Sequence, residues 1–195
     1  MEQYMIKTAV LVSGAGTNRE AMSTYGVPIT LVLADRPCCA LETARASRIS
    51  TAIVSRTDFT RTFDAERKEY TRHVLDVLRA WHIDFVILAG FRTVLAQIFF
   101  DAYGDERALN MHDSILPAFP GAYAIRDALR AGVKETGCTL HVATKNVDNG
   151  RVLVQGKVRI VPGDTEEKLR KKIKVVEWQI YPPAIVAHIR HLGLN

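Results

Sequence analysis

IDFVILAGF, residues 83–91, decides the fold class of this chain. The run is almost continuously apolar, rich in β-branched and aromatic residues, and ends at a glycine. A strand with one wet face alternates apolar and polar residues, whereas an uninterrupted run belongs to a strand covered on both faces. Three more stretches read the same way: KTAVLVSG at 7–14, ITLVLAD at 29–35 and the shorter TAIVSR at 51–56. Helical spacing separates them. ALETARASRI at 40–49 is one helix, and a longer one spans about 61–82, with Phe63, Tyr70, Val74, Leu75, Val77 and Leu78 on its apolar side. Buried strands alternating with helices predict an α/β architecture, an open, mostly parallel sheet with helices on both faces.

After ALNMH (108–112) the pattern changes. CTLHVAT (138–144) and VLVQGKVRIV (152–161) alternate more and are joined through VDNG (147–150), which predicts antiparallel pairing toward the C-terminal part. A last helix is expected over about 165–191, interrupted near Pro182 and Pro183. Within it KLRKKIK (168–174) has Leu169, Ile173 and Val176 as its apolar face, so its cations read as a solvated face. There are no repeats or interdomain linkers, and residues 1–195 are expected to form a single domain.

Composition narrows the functional classes. Hydrophobic residues make up 48% and charged residues 24% of 195, ordinary for a cytoplasmic globular protein. No stretch has the length and hydropathy of a membrane span, and MEQYMIKTAVLV lacks the order of a signal peptide. Cys38, Cys39 and Cys138 have no metal-binding spacing and form no disulfide framework, which fits a reducing compartment; Cys138 reads as core. The net charge of +5 suits a small polyanionic ligand, since no nucleic-acid-binding motif accompanies it.

Three polar groups fall where parallel strands end, the edge at which open α/β sheets bind ligands. SGAGTN (13–18) follows the first strand, and Gly14 and Gly16 would let backbone N–H groups approach an anion, with Thr17 and Asn18 as added donors. It is neither a Walker loop nor a complete dinucleotide fingerprint, and a plain strand-to-helix turn explains it equally well. Asn110 and His112, two apart in an extended segment, project to one side. An amide and an imidazole converging there can polarise a carbonyl and hold the oxyanion that forms on nucleophilic attack, although a structural histidine is the simpler reading of the pair alone. Asp148, in the turn after the HVAT strand, could orient His112 and relay protons, or simply serve the turn.

Taken together these stretches resemble the glycinamide ribonucleotide formyltransferase family. SGAGTN is similar to the family's SGxGSN, LAGF (88–91) to its folate-lining strand end, LNMHDSILPAFPG (109–121) to LNIHPSLLPxFPG, VDNG to LDGG, and VVEWQIYP (175–182) to xxEHxxYP. The resemblance implies a Rossmann-like formyltransferase fold and transfer of a formyl group from 10-formyltetrahydrofolate to the amine of glycinamide ribonucleotide, with neither metal nor nicotinamide. It implies that Asn110, His112 and Asp148 are catalytic. Gly14, Ala15, Gly16, Thr17 and Asn18 would hold the ribonucleotide phosphate, and Glu177 its glycinamide or ribose portion. Arg67, Arg92, Thr93, Val94 and Leu95 would border the folate, with Val142, Ala143, Thr144 and Asp148 near its pterin. The implied partners are small molecules, a phosphorylated ribonucleotide amine and a reduced folate, handled in the cytoplasm by a monomer or homodimer without nucleic acid or membrane.

Some positions depart from the family pattern. Asp113 replaces the proline after the histidine, where it could raise the imidazole pKa or compete with Asp148 for the ring. Arg92-Thr93 stands for Met-Arg, Tyr123 and Trp178 replace histidines, and the helix after SGAGTN is short. These changes keep two alternatives in play, a sugar-nucleotide or other phospho-amine formyltransferase of the same fold, and a folate- or nucleotide-binding homologue without catalysis.

Overall fold

The computed structural model describes residues 6–56, 64–104 and 106–194. Along the chain the elements are β1 (Thr8–Val12), α1 (Thr17–Tyr25), β2 (Ile29–Ala34), α2 (Cys39–Ala46), β3 (Ser50–Ile53), α3 (Asp64–Ala80), β4 (Phe85–Leu88), α4 (Gln97–Ala102), β5 (Ala108–His112), α5 (Ala124–Arg130), β6 (Glu135–Val142), β7 (Val152–Arg159) and α6 (Glu166–His191). The strands form a seven-stranded sheet in the order β3-β2-β1-β4-β5-β6-β7. The first five are parallel, and β6 and β7 run antiparallel, as the changed alternation predicts.

Side-chain alternation builds two cores from each strand. In β1, Val10 and Val12 face the layer of α1, α2, α5 and α6, where they meet Met22, Leu41, Ile125 and Ile173. Ala9 and Leu11 face the opposite layer, against Tyr70, Val74 and Leu78 of α3 and Phe99 of α4. Both faces are therefore buried, which is why β1, β2 and β4 need continuous apolar sequences. Each fully buried Leu, Val or Phe contributes about 1.5–3 kcal/mol of transfer free energy, so a polar replacement on either face is costly.

Chain direction across the sheet reverses between β1 and β4, since β2 and β3 lie on one side of that pair and β5 on the other. The loops leaving their carboxyl ends, residues 13–16 and 89–96, thus diverge and leave a crevice.

Two elements differ from expectation, and a third is described only in part. The strand expected over 83–91 is only Phe85–Leu88, because Ala89 and Gly90 turn away and Gly90 takes φ 75°. The expected helix over 61–82 is described from Asp64, with residues 61–63, and hence Phe63, outside the described residues. The last helix is not interrupted: it runs through Pro182 and Pro183 to His191. The carbonyls that lose N–H partners there are those of Trp178 and Gln179, both exposed and within reach of water, so the helix tolerates the pair. No helix among the described residues is long and apolar enough to cross a membrane.

Candidate active site

β5 is the central element of the site because its alternation faces two ways. Asn110 and His112 line a cavity of about 510 Å3 beyond the carboxyl ends of β4 and β5. Met111 points to the other side of the sheet, where its sulfur lies 3.3 Å from Asn18 Nδ2. β6 pairs antiparallel with β5, placing His141 opposite Asn110 and Thr139 opposite His112.

Asp148 reaches the same point from the β6–β7 loop. Its backbone has φ 55°, a left-handed conformation that Asp tolerates better than most residues. Its Oδ2 accepts the Gly121 N–H at 2.7 Å and lies 3.4 Å from His112 Nδ1. Its Oδ1 accepts from Asn110 Nδ2 at 3.2 Å and lies 3.6 Å from His141 Nε2. Burial acts to raise the Asp148 pKa, but hydrogen bonding from His141 and the Gly121 N–H, and the two imidazoles' charge, outweigh it and hold the carboxyl below its ordinary value. The carboxylate stays ionised through the neutral range.

The histidine hydrogen bonds fix which nitrogens carry protons. His112 Nε2 is 2.9 Å from the Phe119 carbonyl, which can only accept, so Nε2 donates. His112 Nδ1 then faces the Asp148 carboxylate. His141 Nδ1 donates to the Val142 carbonyl at 2.8 Å, and its Nε2 lies 3.0 Å from Asn110 Nδ2 and 3.6 Å from Asp148 Oδ1. Asn110 Nδ2 is thereby within hydrogen-bonding distance of both His141 and Asp148.

Asp113, adjacent to His112, points away from the imidazole. Its Oδ2 accepts from Arg170 at 2.8 Å and its Oδ1 lies 3.4 Å from Lys174 Nζ, so it neither competes with Asp148 nor addresses the ring. Strand alternation explains this: the residue after His112 turns toward α6. Burial raises the Asp113 pKa, yet Lys174 and Arg170 beside it hold the carboxyl below its ordinary value. Lys174 also donates to Glu177 Oε2 at 2.5 Å, and the same oxygen accepts from Asn18 Nδ2 at 2.9 Å. Burial pushes Glu177 up to about 7, against the pull of Lys174 and with the help of Asp113's charge. KLRKKIK is therefore more than a solvated face, since Arg170 lines the cavity and Lys174 turns inward to these carboxylates.

The glycine loop and Glu177 are brought together through that Asn18 contact, but Gly14, Ala15, Gly16, Thr17 and Asn18 do not line the cavity. Asn18 Nδ2 is engaged by Glu177 and Met111, which corrects the expectation that this side chain is a spare donor. Gly16 has a structural reason of its own: φ is 76° and an added Cβ would sit 2.6 Å from Ala40 Cβ. Gly14 has none, because an added Cβ would meet no atom within 4 Å. Arg92, Thr93, Val94 and Leu95 all line the cavity, as do Ala143 and Thr144. Val142 is instead in the core, and Arg67 lies outside the lining on an exposed turn of α3, paired with Asp64 at 2.6 Å.

Residue types and spacing alone give no site role to His141, Gly121, Arg170 or Lys174. His141 was in view within CTLHVAT, and the β5–β6 register that sets it opposite Asn110 is the signal that finds it. Gly150 has a matching role, since a Cβ there would sit 1.7 Å from the Val142 carbonyl oxygen and 3.3 Å from His141 Nδ1.

Known proteins resemble this arrangement over most of the chain. The formyl transferase family matches residues 6–185. The phosphoribosylglycinamide formyltransferase of Mycobacterium tuberculosis is 34% identical over 95% of this chain and 86% of its own length. The trifunctional purine biosynthetic protein adenosine-3 of Drosophila melanogaster is 34% identical over 100% of this chain, which spans only 15% of that longer relative. Among solved structures, glycinamide ribonucleotide transformylase 1 from Symbiobacterium toebii superposes with a TM-score of 0.84 at 36% identity, covering 93% of this chain and 86% of the other. Phosphoribosylglycinamide formyltransferase from Bacillus halodurans gives a TM-score of 0.85 at 32% identity, with coverage of 94% and 95%.

Proposed function

Because this chain belongs to the formyl transferase family, we propose that it transfers the formyl group of 10-formyltetrahydrofolate to the amine of glycinamide ribonucleotide, a step of de novo purine biosynthesis. The observation that carries the reading is the Asp148 carboxylate bridging His112 Nδ1 and Asn110 Nδ2, at 3.4 and 3.2 Å, in the cavity wall. Acyl transfer to an amine needs polar hydrogens beside the carbonyl oxygen and a path for one proton, and these side chains supply both.

The amine nitrogen of the ribonucleotide attacks the formyl carbon, and the carbonyl electron pair moves onto oxygen. Asn110 and protonated His112 shift their hydrogens from Asp148 toward that oxygen as its charge grows. One such donor is worth roughly 3–4 kcal/mol in comparable acyl transfers. Asp148 supports the imidazolium and the water that carries the amine proton away. Collapse of the intermediate restores the carbonyl and breaks the bond between formyl carbon and N10 of the folate, which takes up the proton. The folate's flat ring suits the apolar wall of Leu88, Phe91, Val94, Leu95 and Ala143, with the phosphate of the amine substrate at Gly14–Asn18 and its ribose or glycinamide beside Glu177. The enzyme works in the cytoplasm as a single-domain monomer or homodimer, without nucleic acid or membrane.

The test is a formyl-transfer assay with both substrates, run beside a reaction lacking the amine and beside His112→Ala. Amine-dependent release of tetrahydrofolate, lost by about 10³-fold in the variant, is the expected result. Deformylation indifferent to the amine, or to His112, would overturn the reading.

A further inference from the structure

Asp148 holds its carboxylate between His112 and Asn110 from a loop, residues 143–151, that joins β6 to β7. The ladder at the root of this loop is irregular, because the β6–β7 register shifts between Leu140 and His141. Backbone bonds close the stem: Val142 N–H donates to the Arg151 carbonyl at 2.9 Å, and Ala143 N–H to the Ala108 carbonyl at 2.8 Å. Gly150 presses on the same stem, where an added Cβ would fall 1.7 Å from the Val142 carbonyl oxygen.

A side chain ties down the far end of the loop. Arg151 meets Glu106 with two parallel donors, Nε to Oε1 at 2.7 Å and Nη2 to Oε2. These hydrogen bonds hold the Glu106 carboxyl below its ordinary value and the Arg151 guanidinium above its own, so both stay charged through the neutral range. Glu106 is fixed in turn by α6. The buried His188, packed against Phe85 of β4, donates from Nε2 to the Glu106 carbonyl at 3.0 Å.

Glu106 stands two residues before β5 with φ 63°, the left-handed region that glycine or asparagine enters more easily. Such residues persist where surrounding contacts over-determine them, and they gather at functional sites. Here the contacts are the Arg151 fork and the His188 hydrogen bond, and Asp148 lies three residues from Arg151, itself at φ 55°.

We propose that the Glu106–Arg151 ion pair is a strap that sets the β6–β7 loop and, through it, the Asp148 carboxylate. The inference rests on the proposed formyl transfer, for which both are positioning residues. Among the described residues neither lines the cavity, so neither touches substrate. The pair is well exposed and water screens it, so its contribution to global stability is small. Its effect falls on geometry, where a small displacement of a catalytic group is amplified in rate.

Glu106→Gly separates the two effects, because it relieves the left-handed backbone while cutting the strap. Its melting temperature should stay within about 2 °C of wild type, while kcat falls about tenfold and neither KM moves by more than about twofold. Arg151→Gln should lose kcat to the same extent. Exchanging the charges, Glu106→Arg with Arg151→Glu, should recover about half of the wild-type kcat. A second readout needs no turnover: trypsin should cut the native protein after the exposed Lys145 about fivefold faster in Glu106→Gly than in wild type. Unchanged kcat in both single variants, or a loss that the exchanged pair fails to recover, overturns the proposal and leaves the reaction intact. Wild-type protein without formyl transfer overturns the reaction, and the strap is then judged by cleavage at Lys145. Equal trypsin rates overturn the strap whatever the turnover.

Discussion

Asp148 Oδ2 and His112 Nδ1 stand 3.4 Å apart in the cavity wall, and the Gly121 N–H fixes that oxygen from the other side at 2.7 Å. The pair is a carboxylate kept ionised against an imidazole whose other nitrogen donates to a backbone carbonyl. Replacing Asp148 by Asn keeps the shape but removes the charge and presents the ring with an amide. We expect kcat to fall by about 10²–10⁴ with a small change in either KM, as when the orienting carboxylate of a comparable acid–base pair is neutralised. Steady-state kinetics check this, and a kcat within a factor of three or so of wild type would remove Asp148 from the chemistry.

Gly14 and Gly16 should respond in opposite ways to alanine. Gly16→Ala forces a Cβ to 2.6 Å from Ala40 Cβ at a φ of 76°, and should cost about 1–3 kcal/mol of stability. Gly14→Ala meets no protein atom within 4 Å and should leave stability within about 0.5 kcal/mol. If the loop holds the substrate phosphate, the same Gly14→Ala variant should raise KM for the ribonucleotide and not for the folate. Denaturant titration and kinetics with each substrate varied provide the comparison.

Glu177 should make stability depend on pH. Burial raises its carboxyl from 4.5 to about 7, so between those values the folded state holds a proton that the unfolded chain releases. The stability this contributes is present below the unfolded value and is lost as pH rises through about 7. Glu177→Gln cannot titrate and should show a flatter change in melting temperature over that interval. Identical slopes in the two proteins would mean that Glu177 is already ionised in the fold.

The thiols should separate by burial. Cys39 is exposed, whereas Cys138 is buried and desolvation pushes its thiol up to about 11. A water-soluble thiol reagent near neutral pH should modify Cys39 and leave Cys138 untouched until the protein unfolds. Mass mapping of the labelled peptides reads this directly; early loss of Cys138 would show that the β6 core opens readily.

Much of this could be read from the residues because strand signals and strand-end chemistry are local. IDFVILAGF, ITLVLAD and KTAVLVSG announce strands buried on both faces, and the structure buries both faces of each. Asn110 and His112 share a side by alternation, which needs no tertiary information. What sequence could not supply was pairing and direction. His141 joins Asn110 only through the register between β5 and β6, and Asp113 turns away from His112 because α6 brings Arg170 and Lys174 to meet it. Arg67 shows the converse limit, since a matching residue type does not ensure that its side chain reaches the cavity. The prolines of α6 misled for a related reason: their cost depends on whether the freed carbonyls face water, a property of packing.

β5 also hands its successive residues to different neighbours. Asn110 and His112 stand in the cavity wall, while Met111 closes against Asn18 and Asp113 bends to α6. Asp113 and its partner Arg170 also line the cavity, so the cluster under α6 and the wall of Asn110 and His112 share one rim. The departures in this sequence are tied to different elements, Arg92 and Thr93 to the ends of β1 and β2, and Asp113 to the last helix. Loosening Asp113 would therefore be felt on both sides of the strand, through Arg170 in the cavity and through Lys174 beside Glu177.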